Sequence, residues 1–217
     1  MSIIIKDSDA KITRKILAGI AQNINLRLHR KAATIERNIV KAFTDTLINS
    51  PTWISIVSGK LRSEFGIINP EPKLRRILQI WVNNLKVQVV YARLIGSRRI
   101  SNANFRLDMI PSDYADVLNE DAALNIVFHK TKGAIALRWL EWLLLKGDKG
   151  IVKKYVIQYG FPRHSRTGSA IMVRKVGGIW RVPPEFSGTR KDNFITKTVD
   201  SLGKYIETMI EDEIVNA

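Results

Sequence analysis

Cysteine is absent from all 217 residues. That single absence removes a disulfide framework, a thiolate zinc or iron–sulfur site and a cysteine nucleophile. Histidine is scarce, with only His29, His129 and His164. His29 has no second histidine one helical turn away, so a helical metal-binding pair is missing. His164 stands between Arg163 and Arg166 with no neighbouring carboxylate to orient it as a base. No run of about 18 apolar residues occurs, and the isoleucines at positions 3–5 are too few for the core of a signal peptide. The expectation is a soluble, intracellular protein with no membrane partner.

Phosphate-binding loops, dinucleotide fingerprints and calcium loops are missing too. Asp113 with Asp116, and Glu120 with Asp121, come nearest to a paired-acid arrangement. They sit in a neutral stretch with no histidine or glycine-rich cradle, so they read as solvated loop acids. A metal-dependent nuclease built on Asp113 or Asp116 is the weakest of three readings. The chain reads as no enzyme, with no cofactor, no metal and no catalytic residue.

What the sequence has in excess is positive charge. Lys and Arg number 35 against 20 Asp and Glu, a net +15 with a pI near 10.2. The excess is uneven: residues 1–50 carry +5, 51–110 carry +7, 111–150 carry −1, 151–197 carry +8 and 198–217 carry −4. A basic body with an acidic end fits two kinds of partner, a polyanion or complementary copies of the chain itself. Apolar residues at 45% are enough for a globular core, and the length suits a single domain.

Apolar residues recur at helical spacing over residues 11–47: Ile12, Ile16, Ile20, Ile24, Leu28, Ile35, Ile39, Phe43 and Leu47. The spacing predicts a helix of roughly 55 Å at about 1.5 Å per residue, longer than one small domain needs. Gly19 is a place where it could bend, and Ser50-Pro51 ends it. Residues 1–50 are thus a long N-terminal helix, an appendage or packing helix of the same domain. Residues 51–217 are its α+β core.

Within that core, residues 52–66 read as a short apolar piece, a Ser58-Gly59 turn and a brief helical or extended piece. The β-branched and aromatic runs 77–82 and 85–91 flank Asn83-Asn84, which predicts a hairpin. Residues 96–123 read mostly as loop, with short elements at 105–110 and 113–118, and 124–129 reads as a strand. Residues 131–145 are apolar nearly all round, which predicts a helix at the centre of the fold or in a subunit interface, with Thr131 as N-cap and Gly147 as C′ residue. Strands are expected at 151–159 and 169–175, with a basic loop, residues 160–168, between them. Gly177-Gly178 predicts a second tight hairpin leading to 179–182, stopped by Pro183-Pro184. Asp192 or Asn193 caps an amphipathic C-terminal helix, residues 192–215. The fold class is α+β: a long N-terminal helix, an antiparallel β-sheet or hairpins packed with a central apolar helix, and a C-terminal amphipathic helix.

Arg163, His164, Arg166, Arg174, Lys175, Arg181, Arg190 and Lys191, with Phe161 and Trp180 among them, could hold guanidinium groups and stacking surfaces on one face. Arg75-Arg76 and Arg98-Arg99 add basic pairs. A basic nucleic-acid-binding protein is therefore the second reading, although no helix-turn-helix, RNA-recognition motif or zinc finger is present. Arginine beside tryptophan is equally the composition of protein interfaces.

Three segments in order carry a resemblance. They are Trp139-Leu140-Glu141-Trp142-Leu143-Leu144-Leu145-Lys146-Gly147-Asp148, then Ser165-Arg166-Thr167-Gly168-Ser169-Ala170-Ile171-Met172-Val173. Last comes Trp180-Arg181-Val182-Pro183-Pro184-Glu185-Phe186-Ser187-Gly188-Thr189, leading into Asn193-Phe194-Ile195-Thr196. The set resembles the neck or tail-completion structural proteins at the head–tail junction of tailed bacteriophages. That family often combines a long N-terminal helix, a Thr-Gly-x-Leu-Arg-like turn, a β-sheet and a Gly-Thr segment before a C-terminal helix. Ser58-Gly59-Lys60-Leu61-Arg62 stands in the turn position, with serine for threonine. The match covers residues 131–210, the first half only in outline, and 96–128 have no counterpart.

The resemblance implies a virion structural protein, a tail-completion or tail-terminator subunit that assembles as a hexameric ring between connector and tail. Its implied partners are further copies and other neck, connector and tail proteins, with genomic DNA nearby. Its implied place is the virion, with the host cytoplasm during assembly. From the residues themselves, the candidate interface comprises the helix bearing Trp139 and Trp142, the acids Glu207, Glu211, Asp212 and Glu213, and the loop residues Arg163, His164 and Arg166. We expect the loop to dock on an acidic neighbour rather than on DNA, because tight DNA binding in a channel would resist passage of the genome.

Overall fold

A computed structural model describes residues 9–96, 98–108, 114–129, 133–147 and 149–215. Seven α-helices and eight strands run through them. Helices α1 (Asp9–Ile48), α2 (Pro51–Val57), α3 (Lys60–Phe65) and α4 (Pro70–Asn84) come first. Strands β1 (Lys86–Val90), β2 (Leu94–Ile95), β3 (Arg99–Ile100) and β4 (Asn104–Asp108) follow, then α5 (Ala115–Leu118). Next are β5 (Asn125–His129), β6 (Gly133–Leu137) and α6 (Trp139–Leu144). The chain finishes with β7 (Val152–Tyr159), β8 (Ala170–Trp180) and α7 (Phe194–Val215). The fold is α+β, with the long first helix, antiparallel strand pairs and the C-terminal helix.

Among the described residues the eight strands form four separate antiparallel pairs, β1–β4, β2–β3, β5–β6 and β7–β8. No larger sheet joins them. Contacts divide the chain into two compact units: residues 1–40, 85–108 and 204–217 in one, and 41–84 and 109–203 in the other.

In the first unit, the early part of α1 and the end of α7 accompany β1–β4 and β2–β3. Leu28, Ile35, Ile39 and Leu85 are buried there. Asn25 clips the chain after β1 by donating to the Ala92 carbonyl at 3.0 Å and accepting from the Ala92 N–H at 2.8 Å. Lys31 pairs with Glu213 of α7 at 3.1 Å.

The second unit holds an aromatic centre. Phe65 meets Trp142 and Trp180 edge-on, with ring centroids 5.6 and 5.4 Å away, and the two tryptophans lie 5.4 Å apart. Such pairs add about 0.5–1.5 kcal/mol each beyond the area they bury. Trp81 packs edge-on against Phe194 at 6.1 Å, tying α4 to the start of α7. Asn193 is the N-cap of α7: its Oδ1 accepts from the N–H groups of Ile195 and Thr196 at 2.9 and 3.2 Å.

Several expectations need correction. Residues 77–82 are not a strand; they belong to α4, and no hairpin turns at Asn83-Asn84. Pro70 and Pro72 suit a first helical turn, and Leu74, Ile77 and Trp81 recur at helical spacing and are buried together, so packing overrides the β-branched composition. The second run does form a strand, β1, but its partner is β4, in the register Lys86↔Asp108.

The expected helix over 131–145 divides into strand β6, paired with β5, and the six-residue α6. A short apolar run reads equally well as either element, and pairing with β5 decides it. Thr131 lies outside the described residues. Gly147 is not a left-handed C′ residue; Leu145 is the C-cap. Gly147 is glycine because a Cβ would stand 2.6 Å from the Gly188 nitrogen, and its own N–H donates to the Gly188 carbonyl at 3.1 Å.

Gly177-Gly178 makes no second hairpin either. Both lie inside the single long strand β8, where the register jumps from Lys153↔Ile179 to Tyr155↔Arg174. Four residues of β8 then face Lys154 alone, and Lys154 takes a positive φ of 63°. The glycines serve a bulge rather than a turn. Gly19 neither bends nor breaks α1 in a way that interrupts its helix.

Candidate functional site

The β7–β8 ribbon carries the basic loop, residues 160–169. Its base is closed by the Gly160 N–H donating to the Ser169 carbonyl at 3.0 Å. A turn is held by Ser165 N–H to the Pro162 carbonyl at 3.1 Å, and the Ser165 hydroxyl donates to the Ala170 carbonyl. Gly160, His164 and Gly168 all take positive φ, at 105°, 72° and 74°. For His164 that conformation is sterically unfavourable and must be held by the surrounding bonds.

This local order presents one side chain above all. Phe161 is 98% exposed, with Arg163 and His164 exposed beside it. Arg166 faces the other way: it donates from Nη2 to the Phe65 carbonyl at 3.1 Å and lies over Gly66. A Cβ on Gly66 would approach that guanidinium nitrogen to 2.7 Å, and Gly66 itself takes a left-handed φ of 58° as the C-cap of α3. Burial lowers the Arg166 guanidinium below its ordinary pKa. The three loop residues are therefore two presented groups and one tether.

A second tether sits at the loop end of β7, where Tyr159 is its last residue. Tyr159 donates its hydroxyl to Glu64, and the Trp180 indole N–H donates to the same carboxylate at 3.3 Å. Lys60 reaches that carboxylate at 3.9 Å. Burial raises the Glu64 pKa, the donors and Lys60 pull it back, and Glu185 adds to the rise. Burial and the carboxylate together raise the Tyr159 phenol well above its ordinary value. Glu64 and Tyr159 are 95 positions apart in sequence, and no local pattern announces their pairing.

Trp139 and Trp142 do not form an exposed patch. Trp139 is fully buried, and Trp142 is half-buried in the aromatic centre. Of the two placements expected for the 131–145 run, the buried one holds for Trp139, Leu140, Leu143 and Leu144 of α6. The acidic residues are arranged differently. Glu207, Glu211 and Asp212 are exposed, and Glu213 is engaged by Lys31. Tyr205, Thr208, Met209, Asp212 and Glu213 line a notch of about 270 Å³ on one face of α7. The spacing i, i+3, i+4, i+7 puts them there.

No protein-family model, curated protein or solved structure matches the chain.

The paired acids are partly accounted for. Asp116 accepts from the Asn84 amide at 2.7 Å, and Glu120 pairs with Arg76 at 3.3 Å. Asp113 lies outside the described residues, as does the side chain of His129. His29 faces the Tyr91 hydroxyl at 3.3 Å. Among the described residues no three His, Asp or Glu side chains gather as they would around a metal ion. No helix among them is long and apolar enough to cross a membrane. What this arrangement offers is surface recognition: an exposed aromatic tip on a hydrogen-bonded loop in basic surroundings, and an acidic notch with apolar walls.

Sequence reasoning set Phe161 among the basic residues without seeing that it stands alone in solvent. Its position between Gly160 and Pro162 was the available signal. Met209 did not stand out, because on the helical pattern it reads as an ordinary member of an amphipathic face, and Tyr205 lies outside that apolar set.

Proposed function

We propose that this chain is a structural subunit of a multi-copy assembly, and that its setting is the head–tail junction of a tailed bacteriophage, as a tail-completion or tail-terminator component. The observation that carries the assembly part is the set of open strands. All eight described strands lie in two-stranded pairs, so each has one edge without a strand partner. Two-stranded ribbons are marginal alone in water, and unpaired edges invite pairing with another chain. The first half of α1 adds to this, with Ile16 57% and Ile20 45% exposed.

The order of elements supports the phage setting. A long first helix is followed by a turn at Ser58-Gly59, where Gly59 must be glycine because a Cβ would meet the Ser55 Cα at 2.8 Å. Leu61 of the same motif is buried, and Gly188-Thr189 leads into the C-terminal helix. These features accompany the three C-terminal segments that carry the resemblance.

Light scattering on the full chain across a concentration series at high salt tests the assembly. The expected result is a discrete mass at a whole multiple of 24.7 kDa. A one-chain mass at every concentration contradicts self-assembly and favours the nucleic-acid reading instead, which steep salt dependence of DNA affinity would then support. The setting is tested by mass spectrometry of purified particles. Recovery of the chain in particles supports it, and confinement to the unassembled lysate fraction overturns it.

A further inference from the structure

The basic loop and the acidic notch are opposite in charge, and neither is filled within its own unit. We propose that they fill each other between copies: Phe161 of one copy enters the notch formed by Tyr205, Thr208 and Met209 on α7 of the next. This names the contact within the assembly reading above and rests on it.

A phenylalanine with 98% exposure is the most anomalous apolar residue on the surface, and it is held there by a loop with three positive-φ residues. A loop backbone already held by its own hydrogen bonds lowers the ordering cost of binding. Aromatic anchors that enter a pocket ringed by other contacts carry most of the energy of an interface. The notch measures about 270 Å³, and a cavity of about 150 Å³ already takes a benzene ring. Its walls are the Tyr205 ring and the Met209 thioether, and methionine sulfur pairs favourably with aromatic edges.

Charge sets the direction. Arg163 stands two residues from Phe161, and residues 151–197 carry +8. The notch is rimmed by Asp212, with Glu207 and Glu211 exposed on the same helix, and residues 198–217 carry −4. Two loops facing each other would place like charges together, and so would two notches. The favoured contact is therefore loop to notch, a heterologous arrangement in which each copy uses one surface of each kind. Such contacts close into rings or continue as filaments. A polyanion competes for the loop but has no reason to use the notch, which carries its own sign of charge.

The cysteine-free sequence gives a direct test. Full-length F161C and M209C are prepared separately, checked for wild-type thermal unfolding, mixed at assembling concentration and oxidised. The expected product is a disulfide-linked dimer joining position 161 to position 209, formed by the mixture and by neither variant alone. Alongside, F161A should weaken self-association on the order of 30-fold. Arg163→Asp should weaken it and Asp212→Arg should restore it in the same chain, with the effect shrinking at about 1 M salt, where screening acts within about 3 Å.

Assembly of the wild type to its full mass without 161–209 linkage, and with F161A unchanged, overturns this contact and leaves the assembly reading standing. Linkage within a single chain of an F161C/M209C double variant at high dilution overturns it as well. So does efficient linkage of F161C to itself. A wild-type chain that stays monomeric throughout overturns both the contact and the assembly. A variant changed at Phe161 that loses DNA affinity alone, with its mass unaltered, overturns the contact in favour of a polyanion.

Discussion

The two halves of α1 carry the same apolar period and meet different fates. From Leu28 to Leu47 the recurring positions Leu28, Ile35, Ile39, Phe43 and Leu47 are all buried, with Phe43 only 1% exposed. From Ile12 to Ile24 the same spacing continues, yet Ile16 and Ile20 remain in solvent. Periodicity in a sequence states which face of a helix wants cover. It does not state whether the cover comes from the same chain. The second half is covered along its whole apolar stripe; in the first half Ala21 is buried while Ile16 and Ile20 stay in solvent, a strip left open like the strand edges and the Phe161 tip.

The largest effect that would sharpen this contrast is on the closed side. Phe43→Ala should cost about 3–5 kcal/mol in urea unfolding, from lost burial and the cavity left behind. A loss near zero would mean the second half of α1 is no better packed than the first.

Next comes Asn193→Ala, at about 2–3 kcal/mol. That side chain caps α7 and also donates to the Tyr114 hydroxyl at 2.7 Å and the Thr189 carbonyl at 2.8 Å. Asn193→Asp, which keeps the capping oxygen and loses the amide donor, should recover only part of the loss.

A smaller effect concerns Glu64, the buried carboxylate under the ribbon. Its folded pKa is raised above the ordinary 4.5. The folded state thus holds this proton more tightly than the unfolded state. The associated stability is complete below 4.5 and declines as pH rises through the folded value. Glu64→Gln should flatten that decline, so the melting temperature of the variant should fall less than the wild type's between pH 4 and pH 7. Parallel curves for the two proteins would show that Glu64 does not carry the pH dependence.

The smallest stability effect is expected at Ile16→Ala, under about 0.5 kcal/mol, as for other exposed sites. Its value lies in the second readout, because it should lower the assembled fraction seen by light scattering while leaving unfolding unchanged. A cost comparable to Phe43→Ala would erase the distinction between the halves.

Much of the fold was legible because it is written locally. The span of α1, the stop at Ser50-Pro51, the Asn193 cap and strands β5 and β7 all follow from spacing and termini. The loop at 160–168 was legible for the same reason, as glycine and proline bound it. What escaped depends on partners far away in sequence. Residues 77–84 are β-branched and aromatic by composition, and only burial of Leu74, Ile77 and Trp81 makes them helix. The apolar run at 131–145 contains a strand because β5 is there to pair with it. The Asn25 clip on Ala92 spans 67 positions, and the Glu64 cluster gathers residues from α3, β7 and β8. The candidate surfaces divided along the same line. Acids on α7 could be placed from helical spacing, whereas the burial of Trp139 and the bond from Arg166 to the Phe65 carbonyl required the folded chain.

Amide hydrogen exchange on the full chain, dilute and then concentrated, tests the central claim most directly. The account predicts that protection rises with concentration at residues 9–27, along the open ribbon 152–180 and on the exposed face of α7 near residues 205–212. Residues 28–47 should be protected equally in both samples. Protection that is unchanged everywhere, although concentration is raised well into the assembling range, would contradict the claim that these uncovered surfaces are completed by other copies of the chain.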